Sequence, residues 1–206
     1  QPEFKYGIGV KTGVNFELNK DELRLGGLRI DPNTNISSTA TFINNLKVKR
    51  VSDKTDTQVK GLPTNALISN LIWSPDESKL AFTNTTASGN ELWIVELQTA
   101  TATKLTDAVL NANLGNPITW YKNGTALLIK VIPASKKALI DAAKAIPNGP
   151  IVSESQEGVV SPNRTYQDLL KNKTDEANFE NIVTSELYTI DLKGTKKLFK
   201  AADLYA

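Results

Sequence analysis

The side chains in this sequence that could do chemistry are carboxylates. Asp53 with Asp56, and Asp175 with Glu176, are close pairs of the kind that general acid–base catalysis uses. Both pairs stand in polar, turn-like stretches, where such residues usually form solvated surface. The Asp53 pair is also too close in sequence for a calcium-binding loop. The carboxylates therefore give weak support for an enzyme acting through these residues alone.

Two residue types that most hydrolytic sites need are absent. The 206 residues contain no histidine and no cysteine, which excludes a Ser-His-Asp triad, a Cys-His pair and the usual zinc ligands within them. No phosphate-binding loop or dinucleotide fingerprint is present, so the sequence predicts no cofactor and no metal. There is also no methionine. We therefore expect Gln1 to be a processed or excised end, with a removed signal peptide as one explanation.

The charge is nearly balanced, with 24 basic and 22 acidic residues. A nucleic-acid partner would need a clustered basic excess, so none is expected. The densest basic run, Lys47, Lys49 and Arg50, alternates with Leu46 and Val48, which is typical of the solvated face of a strand. No apolar run reaches the length of a membrane span.

A repeated hairpin is the strongest positive signal. Residues 71–82 (L-I-W-S-P-D-E-S-K-L-A-F) predict a strand, a tight turn and a second strand. Residues 91–97 (E-L-W-I-V-E-L) predict a third strand, and Lys104 and Leu105 mark a fourth. Four short strands of this kind fill about one propeller blade of 40–45 residues.

The pattern returns later in the chain. Trp120 and Leu127 enclose an Asn-Gly turn and stand as far apart as Trp73 and Leu80. Residues 186–192 (E-L-Y-T-I-D-L) then repeat residues 91–97. We predict that Trp73, Phe82, Trp93 and Trp120 pack as apolar core between neighbouring blades.

The predicted fold is all-β, a partial β-propeller of about three four-stranded antiparallel blades with a helical insertion in the last blade. The blade-like units are about 23–62, 67–107 and 116–200, and the insertion covers about 133–183. Within it, apolar spacing predicts a helix over residues 135–146. Thr165 and Asp168 form a capping box that predicts a second helix. Residues 1–22 receive no assignment.

These motifs resemble a known family. The W-S-P-D-x-x-x-L-A-F segment at residues 73–82, followed by E-L-W-I-V-E-L, is similar to the propeller repeats of prolyl-oligopeptidase-like serine peptidases. Residues 23–35 (L-R-L-G-G-L-R-I-D-P-N-T-N) and 164–171 (R-T-Y-Q-D-L-L-K) resemble segments of the glutamyl endopeptidase branch. The resemblance implies an N-terminal propeller that covers a C-terminal α/β-hydrolase domain, whose serine lies in a G-x-S-x-G elbow. This sequence contains no such elbow, so no catalytic residue is carried over.

The resemblance implies a non-catalytic role, in which the propeller segment gates substrate access to the hydrolase domain. The expected partners are that domain and a peptide substrate. Insertions in propellers often lie on the binding face. The substrate-contact candidates are therefore the polar and aromatic residues of the insertion: Arg164, Tyr166, Asp168, Glu176 and Glu180.

Other interpretations stay open at this stage. These five residues could instead cap helices and form surface ion pairs. The chain could also be a stand-alone binding or scaffold module, because a fold does not fix a function. An incomplete ring leaves sheet faces and edges open, so we expect self-association. The family's frequent export in bacteria suggests a periplasmic or secreted location.

Overall fold

The computed structural model describes residues 5–14, 22–141 and 169–205. These residues form a mostly β, antiparallel fold with one short α-helix. The strands and the helix are β1 (Tyr6–Val14), β2 (Leu23–Leu25), β3 (Leu28–Asp31), β4 (Ile36–Ser37), β5 (Phe42–Arg50), β6 (Asp56–Gln58), β7 (Ile68–Trp73), β8 (Lys79–Thr86), β9 (Gly89–Glu96), β10 (Thr101–Lys104), β11 (Ile118–Tyr121), β12 (Ala126–Val131), α1 (Lys173–Val183), β13 (Thr184–Asp191) and β14 (Lys196–Leu204).

The first predicted repeat forms the run β7-β8-β9-β10 of one antiparallel sheet. Trp73 pairs with Leu80 across the first hairpin. Its turn is built by the W-S-P-D motif: the Ser74 hydroxyl donates to Asp76 Oδ1 at 2.6 Å and accepts from the Lys79 N–H at 2.9 Å. The serine and the aspartate of the motif are therefore explained by the turn, which the buried Ser74 hydroxyl and the Asp76 carboxylate close.

The second repeat forms a separate sheet in the order β11-β12-β13-β14. Trp120 pairs with Leu127, as Trp73 pairs with Leu80. Leu127 then pairs with Ile190, as Leu80 pairs with Val95. Residues at equivalent positions of the two sequence repeats therefore form equivalent cross-strand pairs. The predicted Asn-Gly turn joins β11 to β12, with positive φ at both Asn123 and Gly124.

The two sheets pack face to face. Alternate residues of β8 and β9 join residues of β11, β12 and β13 in one buried apolar cluster, which includes Ala81, Leu92, Ile118, Leu127 and Ile190. The turns of the two repeats also meet, because a Cβ at Gly124 would stand 3.1 Å from Pro75 Cδ. The opposite side of the first sheet builds a second core with β5, around Leu46, Phe82 and Val95.

Residues 23–62, expected as one four-stranded unit, are divided between two sheets. Strands β2, β3 and β4 form a small sheet of their own. Strand β5 pairs with β1 and β6, and touches β7 through Ile43 and Ile68. The small sheet buries Leu25 and Ile30 against Ile182 and Val183 of α1. This packing explains why β2, β3 and β4 do not join the sheet that contains β5.

The helix predicted over residues 135–146 is wrong in its described part. Residues 136–141 are neither helix nor strand. Their backbone bonds instead to asparagine side chains of α1, which compete with the helical ladder. The capping box predicted for the second helix, Thr165 with Asp168, lies outside the described residues, and the two described residues assigned to that helix, Leu169 and Leu170, are not helical. The helix that the structure describes, α1, begins at Lys173. Its N-cap is Asn172, whose side chain accepts from the Asp175 N–H at 2.9 Å.

The prediction that all four aromatic residues are core is also wrong for Trp73. Phe82 is fully buried and stacks on Trp93 with ring centroids 6.2 Å apart. Trp120 lies half-buried beside the apolar cluster between the two sheets. Trp73, however, is 39% exposed, because it is the last residue of β7 and stands at the end of the sheet.

Candidate functional site

A cleft in the insertion is the candidate site. It lies between the segment 133–140, which follows β12, and one side of α1, and its volume is about 390 Å³. That volume is within the range of small-ligand sites. The lining residues are Pro133, Ser135, Lys136, Lys137, Ala138, Ile140, Ala177, Asn178, Glu180, Asn181 and Thr184.

Helix α1 is held in place by an apolar side and by its C-terminal end. Phe179 and Ile182 pack on the small sheet β2-β3-β4. The approach is close, since a Cβ at Gly26 would stand 2.7 Å from Phe179 Cε2. At the end of the helix, the buried Asn111 amide donates to the carbonyl oxygens of Ile182 and Thr184 at 2.8 and 3.0 Å. The helix is therefore a fixed wall of the cleft.

Two asparagines of α1 bind the backbone of the opposite wall. Asn178 Oδ1 accepts from the Ile140 N–H at 2.8 Å, and its Nδ2 donates to the Ile140 carbonyl oxygen at 2.9 Å. Asn181 bonds Lys137 in the same way, at 3.1 and 2.8 Å. Each side-chain amide therefore satisfies both backbone groups of one residue, as a neighbouring strand does in an antiparallel pair.

Lys136 is the lining residue of the cleft that is bonded to the turn at Asn35. Its Nζ donates to Asn35 Oδ1, a neutral acceptor. Burial lowers the pKa of Lys136. Asn35 sits in a tight turn with positive φ, and the Asp31 carboxylate stabilises that turn by accepting from the Asn33 N–H at 3.0 Å. The ammonium group of Lys136 is therefore held against the turn at Asn35.

The structure describes two of the five predicted contact residues, and it separates them. Glu180 is exposed and lines the cleft. Glu176 stands one turn earlier on α1, does not line the cleft, and pairs with Lys173 at 2.7 Å. Arg164, Tyr166 and Asp168 lie outside the described residues. Whether they contact substrate stays a prediction.

The carboxylate pairs weighed for acid–base chemistry have structural partners. The Asp53 carboxylate accepts from the Thr55 N–H at 3.0 Å and pairs with Arg50, and the Thr55 bond is the main cause of its lowered pKa. Asp175 accepts from the Lys171 N–H at 2.8 Å in front of α1. Turn and cap formation therefore accounts for both carboxylates.

Asn178, Asn181 and Lys136 were missed by the sequence interpretation. The signal that could have found the asparagines is their spacing of three on the polar side of a helix. The second predicted helix was assigned to residues upstream of α1. Lys136 was assigned to a helix that its segment does not form. The hydrogen bonds that bring these three residues to the cleft join parts of the chain that are far apart in sequence, so local patterns do not reveal them.

Within residues 5–14, 22–141 and 169–205, no group of three or more acidic side chains is arranged to hold a metal ion. The helix found there has neither the length nor the apolar content that crossing a membrane requires.

Two plant proteins align with almost the whole chain, although no family model matches it. A probable chloroplastic glutamyl endopeptidase of Oryza sativa subsp. japonica is 30% identical over 194 residues. One of Arabidopsis thaliana, with the same description, is 31% identical over 198 residues. Each alignment covers 88% of this chain. This chain is homologous to a segment of the glutamyl endopeptidases. The resemblance predicted from the W-S-P-D repeat and residues 23–35 and 164–171 is thereby confirmed.

This chain spans only 20% of the length of each of these relatives. Solved structures give more distant matches. An acylaminoacyl peptidase of Pyrococcus horikoshii matches 97% of this chain and 24% of its own, with 15% identity and a TM-score of 0.43. TolB of Acinetobacter baumannii matches 75% of this chain and 26% of its own, with 15% identity and a TM-score of 0.37. No function follows from likeness at these scores.

Proposed function

We propose that this chain is part of the N-terminal propeller of a serine peptidase and limits substrate access to a hydrolase domain that these residues do not include. The observation that carries the proposal is the alignment of 88% of the chain with a fifth of each plant glutamyl endopeptidase. The chain contains no histidine. The histidine of a Ser-His-Asp triad would therefore have to come from other residues of the longer protein.

In this proposal the sheets β7-β8-β9-β10 and β11-β12-β13-β14 are neighbouring blades. Their shared apolar cluster and equal hairpin registers support it. Blades of a propeller bury their faces against each other in this way. The division into units at about 23–62, 67–107 and 116–200 stays a prediction, and the separate sheet β2-β3-β4 makes the first unit the least regular.

The insertion is proposed to contact the peptide substrate through the cleft beside α1. Glu180 and Lys136 place opposite charges on its lining, and Asn178 and Asn181 add amide groups. Charged groups at a partly enclosed site discriminate between substrates of different charge. The cleft should therefore influence which peptides the longer protein accepts, without taking part in bond cleavage.

The test compares two glutamates of the same helix in the longer protein. Glu180→Gln removes a charge from the cleft, and Glu176→Gln removes one from the outer surface. We expect Glu180→Gln to change kcat/KM severalfold for peptides carrying acidic or basic side chains and to leave neutral peptides unchanged. Glu176→Gln should match the parent for all of them. Equal kinetics of both variants on every peptide would refute substrate contact at the cleft.

The alternative of a stand-alone binding module is decided by the coding sequence after Ala206. A G-x-S-x-G elbow followed by a histidine would support the peptidase, and a stop codon would support the module. A periplasmic or secreted location is likewise proposed. Fractionation of cells that produce the longer protein tests it, and a purely cytoplasmic signal would refute it.

A further inference from the structure

The segment 137–140 is held in the cleft mainly through its backbone. Lys137 and Ile140 each give both the N–H and the carbonyl oxygen to one asparagine of α1. Their side chains contribute little, since Lys137 is exposed and Ile140 is 49% exposed. Among these four residues, Leu139 is the one that packs against an apolar cluster. Apart from the packing of Leu139, the segment is therefore held by backbone groups that any sequence would offer.

The binding groups on α1 do not depend on the segment for their position. Asn178 is buried, with 9% of its surface exposed, and it stands beside Phe179, which packs on the small sheet. Asn111 fixes the end of the helix through two carbonyl oxygens. The two amides therefore keep their spacing when the segment leaves. When the segment leaves, its backbone groups form hydrogen bonds with water instead. Each of the bonds to the asparagines therefore contributes only a modest net free energy to keeping the segment in place.

We propose that Asn178 and Asn181 form a binding site for the backbone of an unstructured peptide, which residues 137–140 occupy until a peptide displaces them. The adjoining cleft of about 390 Å³ receives the side chains of the bound peptide. The proposal rests on the proposed function, since a peptide is the substrate class assigned there. Beyond the proposed function, it identifies the side-chain amides of Asn178 and Asn181 as the groups that bind the peptide backbone. It also identifies residues 137–140 as an internal competitor for them.

The test measures hydrogen exchange of the Lys137 and Ile140 amides in the 206-residue chain. The probe is a blocked decapeptide of Ala, Gly and Ser, added at increasing concentration. Displacement of the segment raises exchange at these two amides about tenfold or more. The amide of Ile132, which donates to the Val109 carbonyl oxygen at 2.9 Å, should not change. The same decapeptide with N-methylated peptide bonds, which cannot donate, should have no effect.

Variants on α1 separate backbone capture from a general loosening of the fold. Asn178→Asp with Asn181→Asp removes the two amide donors at nearly constant volume, and should abolish the response to the decapeptide. Glu176→Gln on the same helix should keep it. The proposal fails if the decapeptide leaves exchange unchanged up to millimolar concentration. It also fails if the N-methylated peptide acts equally well.

Failure here is distinct from failure of the proposed function. The exchange experiment needs no hydrolase domain and no catalysis, whereas the comparison of Glu180→Gln with Glu176→Gln measures turnover in the longer protein. A chain that shows no displacement, while Glu180→Gln still alters charge preference, would retain the access role without the backbone site. If the decapeptide displaces the segment but Glu180→Gln does not alter charge preference, the backbone site stands and substrate contact through Glu180 does not.

Discussion

The indole Nε1 of Trp120 donates a hydrogen bond to the backbone carbonyl oxygen of Ile72 at 3.3 Å. It joins β11, the first strand of one four-stranded sheet, to β7, the first strand of the other run. We predict that Trp120→Phe lowers the free energy of unfolding by about 1 kcal/mol or more, because the donor and part of the ring are lost. Trp73→Phe is the matched control at the exposed position. Its cost should stay within about 0.5 kcal/mol. Urea unfolding measures both, and equal costs would contradict the contact.

The approach of Gly26 to Phe179 gives a second prediction. Gly26 and Gly27 both have positive φ, of 57° and 79°, in the turn between β2 and β3. A Cβ at Gly26 would meet Phe179 at 2.7 Å, whereas one at Gly27 meets nothing within 4 Å. Gly27→Ala should cost about 1–2 kcal/mol from backbone strain alone. Gly26→Ala should cost about 1–3 kcal/mol more, from the overpacked contact.

A double variant shows whether that extra cost arises at α1. Combining Gly26→Ala with Phe179→Leu relieves the contact, so the two changes should be less costly together than their separate sum. Combining Gly27→Ala with Phe179→Leu should be additive. Additivity in both pairs would mean that the small sheet and the helix do not meet as the structure shows.

The Asp76 carboxylate predicts a pH dependence of stability. Hydrogen bonds from the hydroxyls of Ser74 and Ser78 lower the pKa of Asp76 from 3.8 to about 2. A carboxylate whose pKa is lower in the folded state stabilises that state above its unfolded pKa, and this contribution is lost as the pH falls towards 2. The free energy of unfolding of Asp76→Asn should therefore fall less steeply between pH 4 and pH 2 than that of the unmodified chain.

Unfolding by urea at several pH values in that range measures the effect. Ser74→Ala provides an independent check, because it removes the first of the two hydroxyl donors while the carboxylate stays. Its Asp76 pKa, followed by NMR titration, should move upwards. A pKa of Asp76 that does not respond to Ser74→Ala would contradict the hydrogen-bond origin of the shift.

Self-association is predicted at β14, the last strand of the second sheet. All nine of its residues are exposed, and Leu198, Phe199 and Leu204 are each about half exposed. An open strand of this length invites pairing with a second chain. We expect dimers or larger species by sedimentation well above micromolar concentration, and a monomer for Leu198→Lys with Leu204→Lys. Leu169→Lys, at another exposed site, should not change the result. A monomeric unmodified chain would contradict the prediction.

The hairpins could be predicted from the sequence because their signals are local. A turn motif between alternating apolar residues fixes which residues pair, and the equal spacing of Trp73 to Leu80 and of Trp120 to Leu127 became equal register. The second helix was predicted around Tyr166, Leu169 and Leu170, whereas α1 begins at Lys173 with Asn172 as its N-cap. A lone asparagine N-cap is a weaker sequence signal than a capping box.

Features that depend on distant residues could not be predicted. The apolar spacing in residues 135–146 favours a helix, but Asn181 and Asn178 bond the backbone of residues 137 and 140, which lie 44 and 38 positions earlier in the chain. Leu25 and Ile30 alternate as any strand would, and only their packing on α1 separates β2-β3-β4 from β5. The sequence interpretation named Glu180 as a contact candidate, which the structure places on the lining of the cleft, and it did not name the two asparagines.

The insertion between β12 and β13 does not change the order or pairing of the strands in the second sheet. Val131 pairs with Glu186 and Ala126 with Asp191, so the chain leaves the sheet and re-enters directly beside its point of exit. In the first repeat, Thr86 and Gly89 close the corresponding hairpin with a short turn. Because the entropy of loop closure grows only by about 0.6 kcal/mol per doubling of length, this junction can gain tens of residues at a small entropic cost. A foreign reporter domain grafted between the two strands should therefore leave their pairing intact, provided that α1 stays packed on Leu25 and Ile30.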